Sequence, residues 1–229
     1  MITSRYAPGK GAEAASPLPF GHGRPTRPQL VSDPRLTSLR HALSRHTAWR
    51  AAPAEGVRAA AVALVLRPAG PEMELLLIKR AERAGDPWSG HMAFPGGRRD
   101  PEDRDAVATA VRETREEVGI ALGEPMGALD EVAPGGGTVR MVVSPYVFAV
   151  GPEVVAVPNH EVEAAVWIPL RELAHPGVAT EHLLETVTGT ARRFPAIGTR
   201  GYVIWGMTHR ILSDFLRLAA EVLDLEGEP

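Results

Sequence analysis

Three glutamates, Glu113, Glu116 and Glu117, stand within five residues in the run Arg112-Glu-Thr-Arg-Glu-Glu-Val-Gly119-Ile120. On a helix they occupy positions i, i+3 and i+4, so their carboxylates share one face. Like charges at that spacing repel and weaken an isolated helix. A divalent cation reverses the sign of that cost, and oxygen donors at this density suit Mg2+ or Mn2+. Arg112 lies four residues before Glu116 and can orient or neutralise the cluster. A plain solvated acidic face would have the same pattern. Two neighbours favour a site. The other face of the helix is small and apolar, and Phe94-Pro95-Gly96-Gly97 upstream permits close backbone approach.

Elements must position these residues. Asp105 to Val118 has helical spacing, with Ala106, Val107, Ala110, Val111, Thr114 and Val118 at three- and four-residue steps. Acidic Asp100-Pro-Glu-Asp precedes it, near the positive end of the helix dipole, and Gly119 is a natural stop. Val57–Leu66 and Glu74–Ile78 read as buried strands, with turn chemistry in Arg67-Pro-Ala-Gly-Pro between them. Further strands are expected over Val139–Val150 and Val162–Ile168, a helical turn over Leu170–Ala174, and a hairpin over Phe194–Trp205. Amphipathic helices are expected at Leu36–Trp49 and Thr208–Leu225. The order β-β-loop-α-β-β…α indicates an α+β fold rather than a doubly wound parallel sheet.

The chain has 229 residues and a formal net charge of -3. That suits one domain with a tail, and argues against a sequence-independent grip on nucleic acid or anionic membrane. Cysteine is absent, which excludes disulfides, thiolate zinc sites and cysteine nucleophiles. A cytoplasmic protein is the expectation. Residues 1–35, rich in Pro and Gly and without apolar periodicity, read as a flexible tail. Residues 36–229 read as a single domain, with 36–52 a leading helix and 53–225 the core. No apolar run spans a bilayer. No Gly-x-Ser-x-Gly elbow or P-loop lysine motif occurs, so acyl hydrolysis and kinase-type chemistry have no support.

The glutamate run and its glycines resemble the box of Nudix hydrolases. That box reads Gly, five residues, Glu, seven residues, Arg-Glu-hydrophobe-x-Glu-Glu-x-Gly-hydrophobe. Gly97, Arg112, Glu113, Glu116, Glu117, Gly119 and Ile120 match it, with Thr114 at the hydrophobe. The gap from Gly97 to Arg112 is one residue longer than the pattern. Counted back from Arg112, the first Glu falls on Arg104, with Asp103 and Glu102 the nearby acids. A narrower resemblance, to the coenzyme A pyrophosphatase-like branch, rests on Arg80-Ala81, Gly90 and Phe94-Pro-Gly-Gly97. There Arg80-Ala81 lies one residue too far from Gly90. The branch's second Arg should fall near Asp86, and Arg83 is the nearest one. Ser144-Pro-Tyr, Val166-Trp-Ile-Pro-Leu170 and Gly201-Tyr to Thr208 also look like this branch.

The resemblance implies a Nudix fold, a mixed β-sheet sandwiched between α-helices. It implies Mg2+ or Mn2+ held by Glu113, Glu116 and Glu117, and hydrolysis of a pyrophosphate bond in a nucleoside diphosphate derivative. Glu116, Glu117 and Arg112 are then the catalytic set. A distal acid, Glu161 ahead of Glu163, joins them. Arg80, Arg83, Gly96 and Gly97 are the expected substrate-binding residues. Coenzyme A or a derivative is the first expectation for substrate, with ADP-ribose, NADH or a dinucleoside polyphosphate as alternatives. A non-catalytic ligand-binding module is the alternative of another class. A homodimer is possible. His91, His160, His209, Trp88 and Trp205 are read as packing or surface residues rather than site residues, with His209 expected to be exposed.

Overall fold

The computed structural model describes residues 32–52, 55–85, 88–133, 140–185 and 191–225. Of the expected tail over 1–35, residues 1–31 lie outside the described residues, and Pro34 and Arg35 belong to the first helix instead. The first helix, α1 (Pro34–Arg45), is opened by Asp33, whose carboxylate accepts from Arg35 N–H at 2.8 Å, with Pro34 in the first turn. It starts before the expected Leu36 and ends before Trp49. The apolar residues that hold it, Leu36, Leu39, Ala42 and Leu43, run out there.

Strands β1 (Arg58–Ala69) and β2 (Glu72–Arg80) form the expected hairpin. Arg67, Pro68 and Ala69, expected in the turn, belong to β1, so only Gly70 and Pro71 remain between the strands. The next strands are short: β3 (Met92–Ala93) and β4 (Gly96–Arg98). After α2 (Ala106–Val118) come β5 (Gly127–Ala128), β6 (Met141–Ala149) and β7 (Val162–Pro169). These seven strands make one sheet. Its main path runs β3-β2-β1-β6-β5, with β4 beside β1 and β7 beside β2. β1 and β6 are parallel, and the other pairs are antiparallel, so the sheet is mixed.

β1 and β2 are buried on both faces, and alternate residues enter different cores. Ala61, Ala63, Val65, Leu76 and Ile78 face the α2 side. Ala60, Leu64, Leu66, Leu75 and Leu77 face α1 and the C-terminal helix α4 (Gly206–Ala220). The sheet is thereby sandwiched between helices, and the α+β expectation holds. α4 starts earlier than Thr208 and ends at Ala220, not Leu225. His209 on it is half-buried rather than exposed, and its burial lowers its pKa.

A helical turn, α3 (Leu170–Ala174), leads through the short 3-10 turn Pro176–Val178 into a second, antiparallel sheet. That sheet has the order β10-β9-β8, from β8 (Ala179–Glu185), β9 (Ala191–Thr199) and β10 (Tyr202–Trp205). The expected hairpin is β9–β10. Its turn places Arg200 at φ 50° and Gly201 at φ 77°, the paired left-handed positions of a tight hairpin. Among the described residues, no helix is long and apolar enough to cross a membrane.

Candidate active site

Asp105 caps α2, its carboxylate accepting from Ala108 N–H at 2.8 Å. Gly119 ends the helix in the left-handed conformation, at φ 69°. The helix docks through Thr109, Ala110, Thr114, Glu117 and Val118. Thr114, standing where the box has a hydrophobe, is fully buried and donates its hydroxyl to Ala110 O at 2.7 Å. The hydroxyl is satisfied inside the helix, so the methyl can face the core.

Glu117 therefore points inward from an acidic helix and is only 3% exposed. Its carboxylate accepts from Gly96 N–H at 2.9 Å. Its pKa is pushed up to about 7, chiefly by burial. The Gly96 hydrogen bond and Arg80 oppose that rise, while Glu113 and Glu161 add to it. Burial also raises Glu113, with Arg112 pulling against it. Glu116 lies at the rim, its side chain 56% exposed.

The two glycines serve different contacts. A Cβ on Gly96 would stand 2.3 Å from Ala61 O and 2.6 Å from Val62 Cα, so β4 can cross β1 this closely only with glycine there. A Cβ on Gly97 would stand 2.5 Å from Glu113 Oε1, so Gly97 makes room for the carboxylate instead.

Arg112 binds three carboxylates. Its Nη1 lies 3.0 Å from both Glu113 Oε1 and Glu116 Oε2. Its Nε and Nη2 donate to the two oxygens of Asp103, each at 3.0 Å, and Nη2 also reaches Arg98 O. Asp103 is 7% exposed and accepts further bonds from Thr109 Oγ1 and Asp100 N–H, both 2.9 Å. Arg112 holds the Asp103 carboxyl far below the usual carboxylate range. The acid that orients the box arginine is therefore Asp103. Arg104 points outward to Asp105.

The β6–β7 loop brings Glu161, the expected distal acid, to the end of α2. Val157 N–H donates to Val118 O and Asn159 N–H to Glu117 O, both at 2.8 Å, tying the loop to the end of α2. Asn159 Oδ1 then accepts from Glu161 N–H at 2.8 Å. Glu161 is set so that its charge acts on Glu113 and Glu117. Glu163 instead pairs with Lys79 at 2.7 Å. Of the two expected basic residues, Arg80 ends β2, with its N–H on His91 O at 3.0 Å. Arg83 Nη1 lies 3.5 Å from Glu161 Oε1. Every expected site residue thus belongs to one neighbourhood. Asp103 and Asn159 are additions: Asp103 follows Gly97 with five residues between, the spacing of the box's first acid, whereas Asn159 has no motif signal of its own.

His91 and Trp205 pack edge to face with ring centroids 4.9 Å apart, and His182 stacks on Trp205 at 4.0 Å. His160 is exposed, 4.0 Å from Glu161 Oε1.

Among the described residues, no group of Asp, Glu and His is arranged to hold a metal ion as it stands. The donor set nonetheless suits a hard cation in kind. Glu113, Glu116, Glu117 and Glu161 gather there, and the Arg112 guanidinium is committed to Asp103 through two bonds. Mutual repulsion raises Glu113 and Glu117 further, a cost that a divalent ion would relieve.

An acidic helix lies against a glycine-rich strand on a mixed sheet, and comparison with known proteins gives the family to which this arrangement belongs. A family model for the NUDIX domain matches residues 56–186. The Nudix hydrolase NudL of Yersinia pestis is 33% identical over 144 residues, covering 62% of this chain and 70% of NudL. A protein of Schizosaccharomyces pombe is 37% identical over 130 residues, covering 53% of this chain but only 39% of its own length. A MutT/nudix family protein from Enterococcus faecalis shares the fold, with a TM-score of 0.50, 16% identity and coverage of 87% of this chain and 82% of that one. The chain belongs to the Nudix hydrolase family.

Proposed function

We propose that this protein is a divalent-metal-dependent pyrophosphohydrolase of nucleoside diphosphate derivatives, with coenzyme A or a derivative as its substrate. One observation carries the reading. Glu117 is buried, tied to Gly96 and under the charges of Glu113 and Glu161, while Arg112 is held on Asp103. A fold gains nothing by burying a carboxylate among others, so a functional use is the better account.

Glu113, Glu116 and Glu117 are the residues that would hold Mg2+ or Mn2+. Such an ion, when bound, neutralises diphosphate charge and acidifies water. Arg112 orients Glu113 and Glu116 by hydrogen bonds, and Asp103 fixes Arg112. Gly96 N–H fixes one oxygen of Glu117. Glu161, at the open edge of the cluster, takes a proton from attacking water at its carboxylate. Arg80 and Arg83 meet the phosphates with guanidinium hydrogen bonds. The coenzyme A assignment draws on the Gly90 and Phe94–Gly97 lead-in, and its products are adenosine 3′,5′-bisphosphate and a 4′-phosphopantetheine species.

The test is incubation of pure protein with Mn2+ or Mg2+ and, separately, coenzyme A, ADP-ribose, NADH and a dinucleoside polyphosphate, with products separated and identified. Turnover of coenzyme A to the two named products is expected. Brisk turnover of ADP-ribose with coenzyme A untouched would overturn the substrate while sparing the class. Binding without turnover of any of them would make the protein a non-catalytic module.

A further inference from the structure

The loop joining β2 to β3 carries contacts that play no part in holding the acidic cluster. Ser89 Oγ donates to Glu82 Oε2 at 2.8 Å. The same Oγ accepts from Arg83 N–H at 2.7 Å. The hydroxyl is thus donor and acceptor at once, and each bond polarises the other. Gly90 has φ 72°, and a Cβ on it would stand 2.3 Å from Glu82 Oε1. The Glu82 carboxylate fills the space that the missing side chain leaves. Residues 82, 89 and 90 are clasped together at the base of the loop.

Arg83 leaves this clasp toward Glu161, with 3.5 Å between Nη1 and Oε1. The stem is registered on the same residue, because Ala81 N–H donates to Glu161 O at 2.9 Å. Arg83 is thereby held at the open edge of the acidic cluster. Its side chain is 65% exposed, and an ion pair of that length in solvent is weak. A diphosphate offers more charge and more acceptor oxygens, so it can draw the guanidinium away. A long side chain on an untied loop would lose more entropy in making that contact.

We propose that Glu82 and Ser89 are positioning residues that hold Arg83 ready for the diphosphate of the substrate, with Glu161 as its resting partner. This rests on the pyrophosphohydrolase reading, and it assigns two residues outside the box to substrate capture.

The test is steady-state kinetics on whichever diphosphate the full-length protein hydrolyses, for Glu82→Ala, Ser89→Ala, Ser89→Thr, Arg83→Ala and the double variant Glu82→Ala/Arg83→Ala. Loss of one charge-assisted contact predicts KM raised about tenfold, with kcat within about twofold, in Glu82→Ala, Ser89→Ala and Arg83→Ala. Ser89→Thr keeps the hydroxyl and should restore KM. The double variant should be no worse than Arg83→Ala alone, since both remove one contact. An unchanged KM in Glu82→Ala, or fully additive losses, would overturn the proposal. If the protein hydrolyses no diphosphate, the functional reading fails instead. The clasp is then read by calorimetry with inorganic pyrophosphate. Weaker binding in Glu82→Ala and Arg83→Ala upholds it, and equal binding, or none to the wild type, overturns it.

Discussion

Arg112 and Asp103 face each other through two hydrogen bonds of 3.0 Å, although they stand nine positions apart in the chain. The pair spans the turn before α2, so the carboxylate that orients the arginine also braces the start of the helix through Thr109. Removing the acid leaves a charged guanidinium without its anchor and the buried Thr109 hydroxyl with only the longer contact to Asp105 O, at 3.4 Å. Asp103→Ala should therefore cost about 3 kcal/mol of stability, read by urea denaturation. Activity should fall as well, because Arg112 no longer holds Glu113 and Glu116 in place. Asp103→Glu should recover part of both.

Glu117 gives a pH dependence whose sign follows from its raised pKa. The folded protein binds its proton more tightly than the unfolded chain, so stability is greatest below the unfolded value of 4.5 and is lost as pH rises through about 7. Thermal melting in EDTA should show stability rising as pH falls from about 8 toward 5, by up to about 3 kcal/mol from this one group. Asp103 works the other way: its lowered pKa gives stability that disappears as pH falls below the ordinary 3.8. Glu117→Gln should flatten the upper limb and abolish turnover. A slope unchanged in Glu117→Gln would show that another group titrates there.

The neighbouring glycines should separate fold from site. Gly96→Ala meets backbone atoms of β1 and should cost at least about 3 kcal/mol, read by denaturation. The atoms nearest a Cβ at Gly97→Ala are the end of the Glu113 side chain, which can swing away. Its stability should stay within about 1 kcal/mol of wild type while kcat falls tenfold or more, as one carboxylate is displaced.

Glu161 and Glu163, two residues apart, should behave differently. Glu161→Gln should lower kcat by about a hundredfold, as expected for loss of a proton acceptor. Glu163 is engaged by Lys79, so Glu163→Gln should change kcat less than twofold. Equal losses in both would remove the distinction drawn between them.

Helix α2, its glycine stop and the β1–β2 hairpin are legible in the amino-acid sequence from period and turn chemistry, because each is stabilised by residues within its own segment. Strands β3, β4 and β5 are only two or three residues long and exist through their partners, so no periodicity announces them. β8, with Thr180, Glu181, His182 and Leu183 in succession, lacks a clean alternation and is held by pairing with β9. At the site, the glutamates and glycines are legible because the box fixes their spacing. Asp103 is obscured by where counting begins. Measured back from Arg112 the acid falls on Arg104, whereas measured forward from Gly97 it falls on Asp103. The longer gap is accommodated between Asp103 and Arg112, where the helix cap intervenes. The Glu82–Ser89 clasp is not legible, since its partners are common polar residues that only a folded loop brings together.

Glu117 joins three distant stretches at once, its side chain taking Gly96 N–H and its carbonyl taking Asn159 N–H. The acidic centre is therefore a keystone as well as a tool. Neither the glycine strand nor the β6–β7 loop can peel away without undoing it. Heat should silence this protein in the same narrow interval in which it loses its shape, with no inactive but intact form in between.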